Sequence, residues 1–424
     1  MTATRLHGHL SSDAVGLADT AWMPGTDPAE RDNPSSGFIR RMRDLYPVEE
    51  EIDRALTRKM ERRAGPAYQR VTIGMIDACL GAMLHDKGVR EIHTRNHRWM
   101  TGGVSKIQLA FDLSWQDESG PRDERMVIRM DPSEGSNATS RQREFDVLAH
   151  VRGHLPVPEV FWVDPDGRWF PEPALVYAFA EGVAKPSRGN ELKVSGIGTY
   201  FPPALRTPLA EQFISHLARL HSLAVDPARL ASFTLPPLGT AESAVLQLNR
   251  AARIWDEDRF EDSPVIEVAL SWLRENAPAL DHCSINHGDY RSGNFLFDEN
   301  AARITTWLDW ERCFIGDRHR DLAWTTQLSV GNFSGRDGSF LVCGLVPFDE
   351  FVDRYSHASG LEVDRRRLDY YRILNAAQVY ASVSASAGRV VRLGKTHQDI
   401  VLVHVQAVGA MVMDELRELL ERAA

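Results

Sequence analysis

The sequence predicts an α+β chain of two lobes, a small β-rich lobe ahead of a larger and mostly helical one, with a helical extension before both. Three observations carry this. The chain has 424 residues, more than one typical domain holds, and 43% of them are apolar, so each lobe can bury a core of its own. Between Ile92 and Val176 the apolar residues recur with a period near two, as half-buried strands require. From Ala210 onward the recurrence lengthens to that of helices.

Taken in order, residues 1 to about 35 are polar and rich in Pro, Gly and Asp without a sustained period, and read as an arm. Phe38, Ile39, Met42, Leu45, Ile52, Leu56 and Met60 follow helical spacing up to the break at Gly65-Pro66. Tyr68 to Leu84 reads as a second amphipathic helix, closed by Asp86-Lys87-Gly88. This extension, residues 1–90, is expected to be a packing arm or a homodimer contact. In the first lobe, residues 91–182, Ile107, Leu109, Phe111 and Leu113 alternate with polar neighbours. Met126–Met130 and Leu175–Tyr177 read as further strands. A helix from about Ser140 to Arg152 carries Phe145, Leu148 and Val151 on one side. The second lobe, residues 183–424, opens on helical patterns at Phe213, Leu217 and Leu220 and again from Val265 to Leu273. Its most apolar run, Ile400 to Met413, is too short to span a bilayer and is interrupted by His404 and Gln406, so a buried terminal helix is expected.

One segment carries chemistry. Asn286-His287-Gly288-Asp289-Tyr290-Arg291-Ser292-Gly293-Asn294 leads into the apolar Phe295-Leu296-Phe297, then a turn at Asp298-Glu299-Asn300, then a returning strand Ile304–Leu308 that delivers Asp309. It supplies an aspartate, an asparagine five residues on, and a second aspartate past a hairpin. Phosphoryl transfer needs that set: one carboxylate to orient a hydroxyl and accept its proton, and an amide plus a carboxylate to hold magnesium against nucleotide phosphates. Upstream, Gly102 and Gly103 join two strand-like segments with Ser105 and Lys106. Paired glycines let a backbone approach phosphates closely.

The form H-G-D-x-x-x-x-N with Leu308-Asp309-Trp310-Glu311 downstream resembles the aminoglycoside phosphotransferase and choline kinase branch of the protein-kinase-like fold. It is closest to the small-molecule kinases associated with acyl-CoA dehydrogenases. Gly316-Asp317 and Asp321-Leu322-Ala323-Trp324 match that family's next segment, with both aspartates read as structural. The resemblance implies a two-lobed kinase-like fold and ATP- and Mg2+-dependent transfer to a small-molecule alcohol. It implies Asp289 as the catalytic base, acting mainly by orientation, and Asn294 and Asp309 as the magnesium ligands. Arg291 either stabilises the transferring phosphoryl group or pairs with a neighbouring acid. His287 braces the loop. On the nucleotide side the resemblance implies Gly102, Gly103, Ser105 and Lys106 at the phosphates, although the family commonly has asparagine where Lys106 stands. It implies Arg129 as the strand cation paired with helix carboxylate Glu144, and Ala178, Phe179 and Ala180 as the hinge against adenine.

The acceptor is less specified. Lys185, Arg188, Lys193 and Arg206 stand with little acid except Glu191, and Arg389, Arg392 and Lys395 are read as extending the same wall. That charge suits an anionic or neutral alcohol, such as a hydroxyacyl-coenzyme A, better than a polycationic aminoglycoside. An antibiotic kinase and an inactive nucleotide-binding module are the alternatives. A net charge of -10 argues against a nucleic-acid partner. The four scattered cysteines and the absence of an apolar leader at the N-terminus point to a reducing, cytoplasmic setting with no membrane partner.

Overall fold

The computed structural model describes residues 28–423 apart from 101–104, 190–196, 334–337, 397–398 and 407. After a short helix α1 (Pro28–Asp32), the helical pattern ahead of Gly65 forms two helices, α2 (Ser36–Leu45) and α3 (Glu50–Glu61). Pro47 separates them, since it can neither donate the helical hydrogen bond nor let its predecessor stay helical. Ser35 caps α2 by accepting from the Phe38 N–H at 3.1 Å. Helix α4 (Ile73–Asp86) is capped by Thr72, which accepts from Met75 N–H at 3.2 Å, so it starts later than its apolar pattern suggests.

The small lobe is a five-stranded antiparallel sheet in the order β1-β2-β3-β5-β4. Its strands are β1 (Arg90–Trp99), β2 (Ile107–Asp117), β3 (Gly120–Met130), β4 (Val160–Asp164) and β5 (Ala174–Ala178), with helix α5 (Arg141–Val151) between β3 and β4. One face, including Leu109, Phe111, Met126, Ile128 and Val176, packs under Ile76, Leu80, Met83 and Leu84 of α4. The other face, with Ala110, Val127, Leu175 and Tyr177, joins the core shared with the large lobe. The edge strands lack the alternation that marks the inner ones. β1 is mostly polar, with Ile92 and Trp99 its only large apolar residues, and Glu91 and Asn96 take positive φ where its register with β2 slips.

The large lobe contains α6 (Pro203–Ser222), α7 (Glu242–Asp258) and α8 (Pro264–Glu275). The pairs β6 (Ser284–Asn286) with β9 (Phe314–Gly316), and β7 (Phe295–Asp298) with β8 (Arg303–Trp307), frame the loop segment, and α9 (His319–Thr325) follows. A small sheet of β10 (Asn332–Phe333), β11 (Phe340–Val342) and β12 (Val346–Pro347) precedes α10 (Phe348–Ser359) and α11 (Arg365–Tyr380). Helix α11 runs through a π-helical segment, Ala381–Ser386, into α12 (Ala387–Arg392). The chain then forms α13 (Asp399–Gln406) and α14 (Gly409–Ala423). The expectation of a buried terminal helix at Ile400–Met413 is corrected here. Leu402 and Val412 are buried, but Val403 is 51% and Met411 72% exposed, because each helix turns only one stripe inward. No helix among the described residues is long and apolar enough to cross a membrane.

The extension packs within the chain. Phe38, Met42, Ile52, Leu56 and Met60 belong to the main core. Asp258, at the end of α7, holds α3 in place by pairing with Lys59 and, at 2.6 Å, with Arg63, and it also takes Arg389 at 2.9 Å. Burial raises the Asp258 carboxyl, but these cations overcome it and hold the group well below the usual carboxylate range. A depressed acid contributes stability above its unfolded pKa, so this contribution persists at neutral pH and is lost only in strong acid. Asp258→Asn leaves three buried cations short of an anion and is expected to cost about 3–5 kcal/mol in chemical denaturation at pH 7.

Candidate functional site

The loop between β6 and β7 is shaped from beneath by Asp321 of α9. Its buried carboxylate accepts the backbone N–H groups of His287 and Gly288, each at 2.7 Å, and lies 3.3 Å from His221 Nε2. Asp317 likewise accepts the His319 N–H at 2.9 Å, so both aspartates play structural parts. His287 accepts the Asp289 N–H on Nδ1 at 3.2 Å and donates from Nε2 to the Leu308 carbonyl at 2.9 Å. Burial pushes its imidazolium pKa down, which keeps the ring neutral, so it is a brace between the loop and the Asp309 strand. Tyr290 stacks on Trp307 at 3.9 Å and donates to the Phe213 carbonyl at 2.6 Å. Gly288 has φ +80°, and a Cβ there would overlap the Arg312 carbonyl. Gly288→Ala is therefore expected to lose about 3 kcal/mol or more, read as a fall in Tm, because both the backbone conformation and the space forbid a side chain.

Above this base the candidate groups converge. Asp289 is 8% exposed, and its Oδ1 accepts from Arg291 Nε at 2.9 Å and from the Trp324 indole N–H at 2.5 Å. Arg291 thus pairs with a neighbouring acid, one of its two expected roles. Asn294 donates its amide N–H to the Asp289 carbonyl at 2.8 Å, which leaves its side-chain oxygen as an acceptor. Asp309 occupies the left-handed region at φ +67°, an uncommon state for a side-chain-bearing residue and one that concentrates at functional sites. Two hard oxygen donors, Asn294 Oδ1 and the Asp309 carboxylate, suit magnesium, which usually takes one or two protein ligands and completes its shell with phosphates and water.

On the nucleotide side, Gly102 and Gly103 lie outside the described residues. Arg129 on β3 is fully enclosed, with Glu144 of α5 at 3.7 Å, Glu311 at 2.7 Å and Asp309 in contact. Glu144, 2% exposed, is thus a buried partner of the strand cation. Lys106 is buried, 4% exposed. Its ammonium meets Asp131 at 3.0 Å, Thr139 at 2.8 Å and Glu311 at 3.4 Å. Ser105 Oγ reaches Glu311 at 3.4 Å. Glu311 ties these groups together, and sequence reasoning assigns it no role although it stands two residues after Asp309. Burial raises its carboxyl, but Lys106, Arg129 and Arg141 together hold it far below the usual range. Asp131 and Arg141 escape sequence reasoning as well, and Trp324 stands there in a matched segment without a role, since each meets the site only through tertiary contact. At the hinge, the N–H groups of Ala178 and Phe179 are committed to the carbonyls of Glu159 and Arg125, both at 2.8 Å. Of the three residues, only Ala180 has an N–H with no backbone partner among the described residues.

The cations read as an acceptor wall divide. Lys193 lies outside the described residues. Arg389, Arg392 and Lys395 do not extend a wall. Arg389 is buried against Asp258 and Glu134, Arg392 pairs with Asp32, and Lys395 donates to the carbonyls of Gly65 and Pro66. Their sequence neighbourhood suggests a substrate surface, but folding turns them onto the N-terminal extension and its neighbours.

Known proteins bear on this geometry. The chain is 26% identical over 298 residues to the probable acyl-CoA dehydrogenase IBR3 of Arabidopsis thaliana, a match covering 64% of this chain and 35% of that protein. It is 28% identical over 170 residues to acyl-CoA dehydrogenase family member 11 of Gallus gallus, covering 38% of this chain and 21% of that protein. The match thus takes in about a third or less of the length of these relatives. A crystal structure from Ralstonia eutropha, of a protein provisionally named an aminoglycoside phosphotransferase, superposes with a TM-score of 0.56 at 17% identity. It covers 83% of this chain and 99% of that one, a likeness of fold that agrees with the two-lobed kinase-like architecture expected from the sequence. The model described as the phosphotransferase enzyme family matches residues 112–371, which is more than half of the chain and spans every described site residue except Ser105 and Lys106. This chain belongs to the phosphotransferase enzyme family.

Proposed function

We propose that the protein is an ATP- and magnesium-dependent O-phosphotransferase that acts on the hydroxyl of a small molecule. The observation that carries this is the state of Asp289. Arg291 and Trp324 both hold Oδ1, so the carboxylate is oriented while Oδ2 is left to accept a hydroxyl proton. Asn294 and Asp309 would hold magnesium, which supplies neutralisation of charge on the nucleotide phosphates. Arg129, kept in place by Glu144 and Glu311, would bind the phosphates, and the Ala180 N–H would address the adenine edge. The acceptor we favour is an anionic or neutral alcohol, with hydroxyacyl-coenzyme A thioesters as the first candidates, because this acidic chain sets Lys185, Arg188, Lys193 and Arg206 against little acid except Glu191 in one segment, a charge poorly suited to a polycation.

Thermal unfolding with ATP, with and without magnesium, followed by an ATP-consumption screen over alcohols, tests the reading. A magnesium-dependent rise in Tm and turnover with at least one alcohol are expected. No nucleotide response would overturn the assignment. Phosphorylation of kanamycin-like cations with no response to any acyl-coenzyme A would reverse the acceptor preference.

A further inference from the structure

Three arginines beside the Asp289 loop have no acid to pair with among the described residues. Arg250 on α7 and Arg320 on α9 are 2% and 3% exposed, and Arg312 lies partly exposed just past Glu311. Their contacts among the described residues are neutral. Arg250 donates to the Ala138 carbonyl at 2.6 Å, and Arg320 to the side-chain oxygens of Gln247, Gln378 and, at 3.3 Å, Asn375. Arg312 lies 4.8 Å over the Trp324 ring, and its Nε, like that of Arg250, has no hydrogen-bond partner. Burial first, and then the charge of Arg312, push the guanidinium pKa of Arg250 down to about 10 and that of Arg320 down to about 9. The acids that act on them are engaged elsewhere. Glu49 is held by Arg143 at 2.9 Å, and Asp321 by the backbone of His287 and Gly288.

Cations gathered away from water without a counter-ion are costly, and a bound anion offsets that cost. Position says which anion is relevant. The indole that carries Arg312 on its face donates from its edge to Asp289, so Arg312 stands one ring away from the proposed base. Resting on the phosphotransferase reading above, we propose that Arg312, backed by Arg250 and Arg320, anchors an anionic group of the acceptor, a phosphate or a carboxylate. The guanidinium fork matches either group. The anchor would set the distance from that group to the hydroxyl at Asp289 and disfavour a polycation in the same place.

The test uses the full chain and its Arg312→Gln and Arg312→Lys variants, loaded with magnesium and AMP-PNP so that the nucleotide's own phosphate contacts are occupied. Inorganic phosphate, or acetate, is added against potassium chloride of equal ionic strength, and Tm is followed. A saturable rise in the unaltered protein is expected, retained in part by Arg312→Lys and lost in Arg312→Gln, with the nucleotide-dependent shift the same in all three. Which of the two anions acts tells which group the anchor takes. No rise with either anion, or an equal rise in Arg312→Gln, overturns the anchor. If AMP-PNP itself produces no magnesium-dependent shift, the phosphotransferase reading fails instead, and the comparison of Arg312→Gln with the unaltered protein still judges the anchor.

Discussion

Asp289→Asn is expected to lower kcat by about 10²–10⁴-fold, the usual range for loss of a positioned general base, while leaving the KM for ATP nearly unchanged. The amide keeps the size and planarity of the carboxylate, so its remaining oxygen can still accept from Arg291 and Trp324, and the loop should retain its shape. What it loses is the charged oxygen that would take the hydroxyl proton. Steady-state rates at saturating acceptor, with circular dichroism to check folding, measure this. A large loss of ATP affinity with turnover preserved would place Asp289 on the nucleotide side instead.

Asp309→Asn is expected to reduce turnover by about 10²–10³-fold or more, as for removal of a preorganised electrostatic group, and to erase the magnesium dependence of nucleotide binding in calorimetric titration. Asparagine tolerates the left-handed backbone at this position at least as well as aspartate, so the fold should survive. Arg129 would keep Glu311 and Glu144 as partners and would not become a buried unpaired cation. Full activity in this variant would sink the metal assignment, whereas a fall in Tm comparable to that expected for Gly288→Ala would mean that Asp309 is chiefly structural.

Both of these residues are legible in the sequence, and the reason is covalent. Asp289, Asn294 and Asp309 lie on one loop and one hairpin, so their spacing along the chain nearly settles their spacing in space. The inner strands β2, β3 and β5 and helices α5, α6 and α8 are legible for a similar reason, since each buries a local stripe whose period is written in consecutive residues. The edge strands β1 and β4 are not. β1 carries mostly polar side chains and is held by backbone hydrogen bonds to its neighbour, which leave no mark in side-chain pattern, whereas β4 is a short apolar run, Val160 to Val163, with no alternation to set it apart.

By itself, then, the sequence determined the two-lobed class, the family and the loop proposed to react, all of which rest on local period or on a contiguous motif. Tertiary structure alone decided which charge meets which. Glu311 is reached by Lys106, Arg129 and Arg141 from three other segments, and Arg63 finds Asp258 across 195 residues. Arg389 stands in sequence as part of a substrate wall and folds as a buried partner of Asp258, whereas Arg250, Arg312 and Arg320, unremarkable in sequence, pair with no acid among the described residues, and Arg312 lies over Trp324. A charged residue has no period that reveals its partner. Coulomb attraction acts through space, and whether a cation ends against a carboxylate, a carbonyl or an open cleft depends on which helices pack together to exclude water around it.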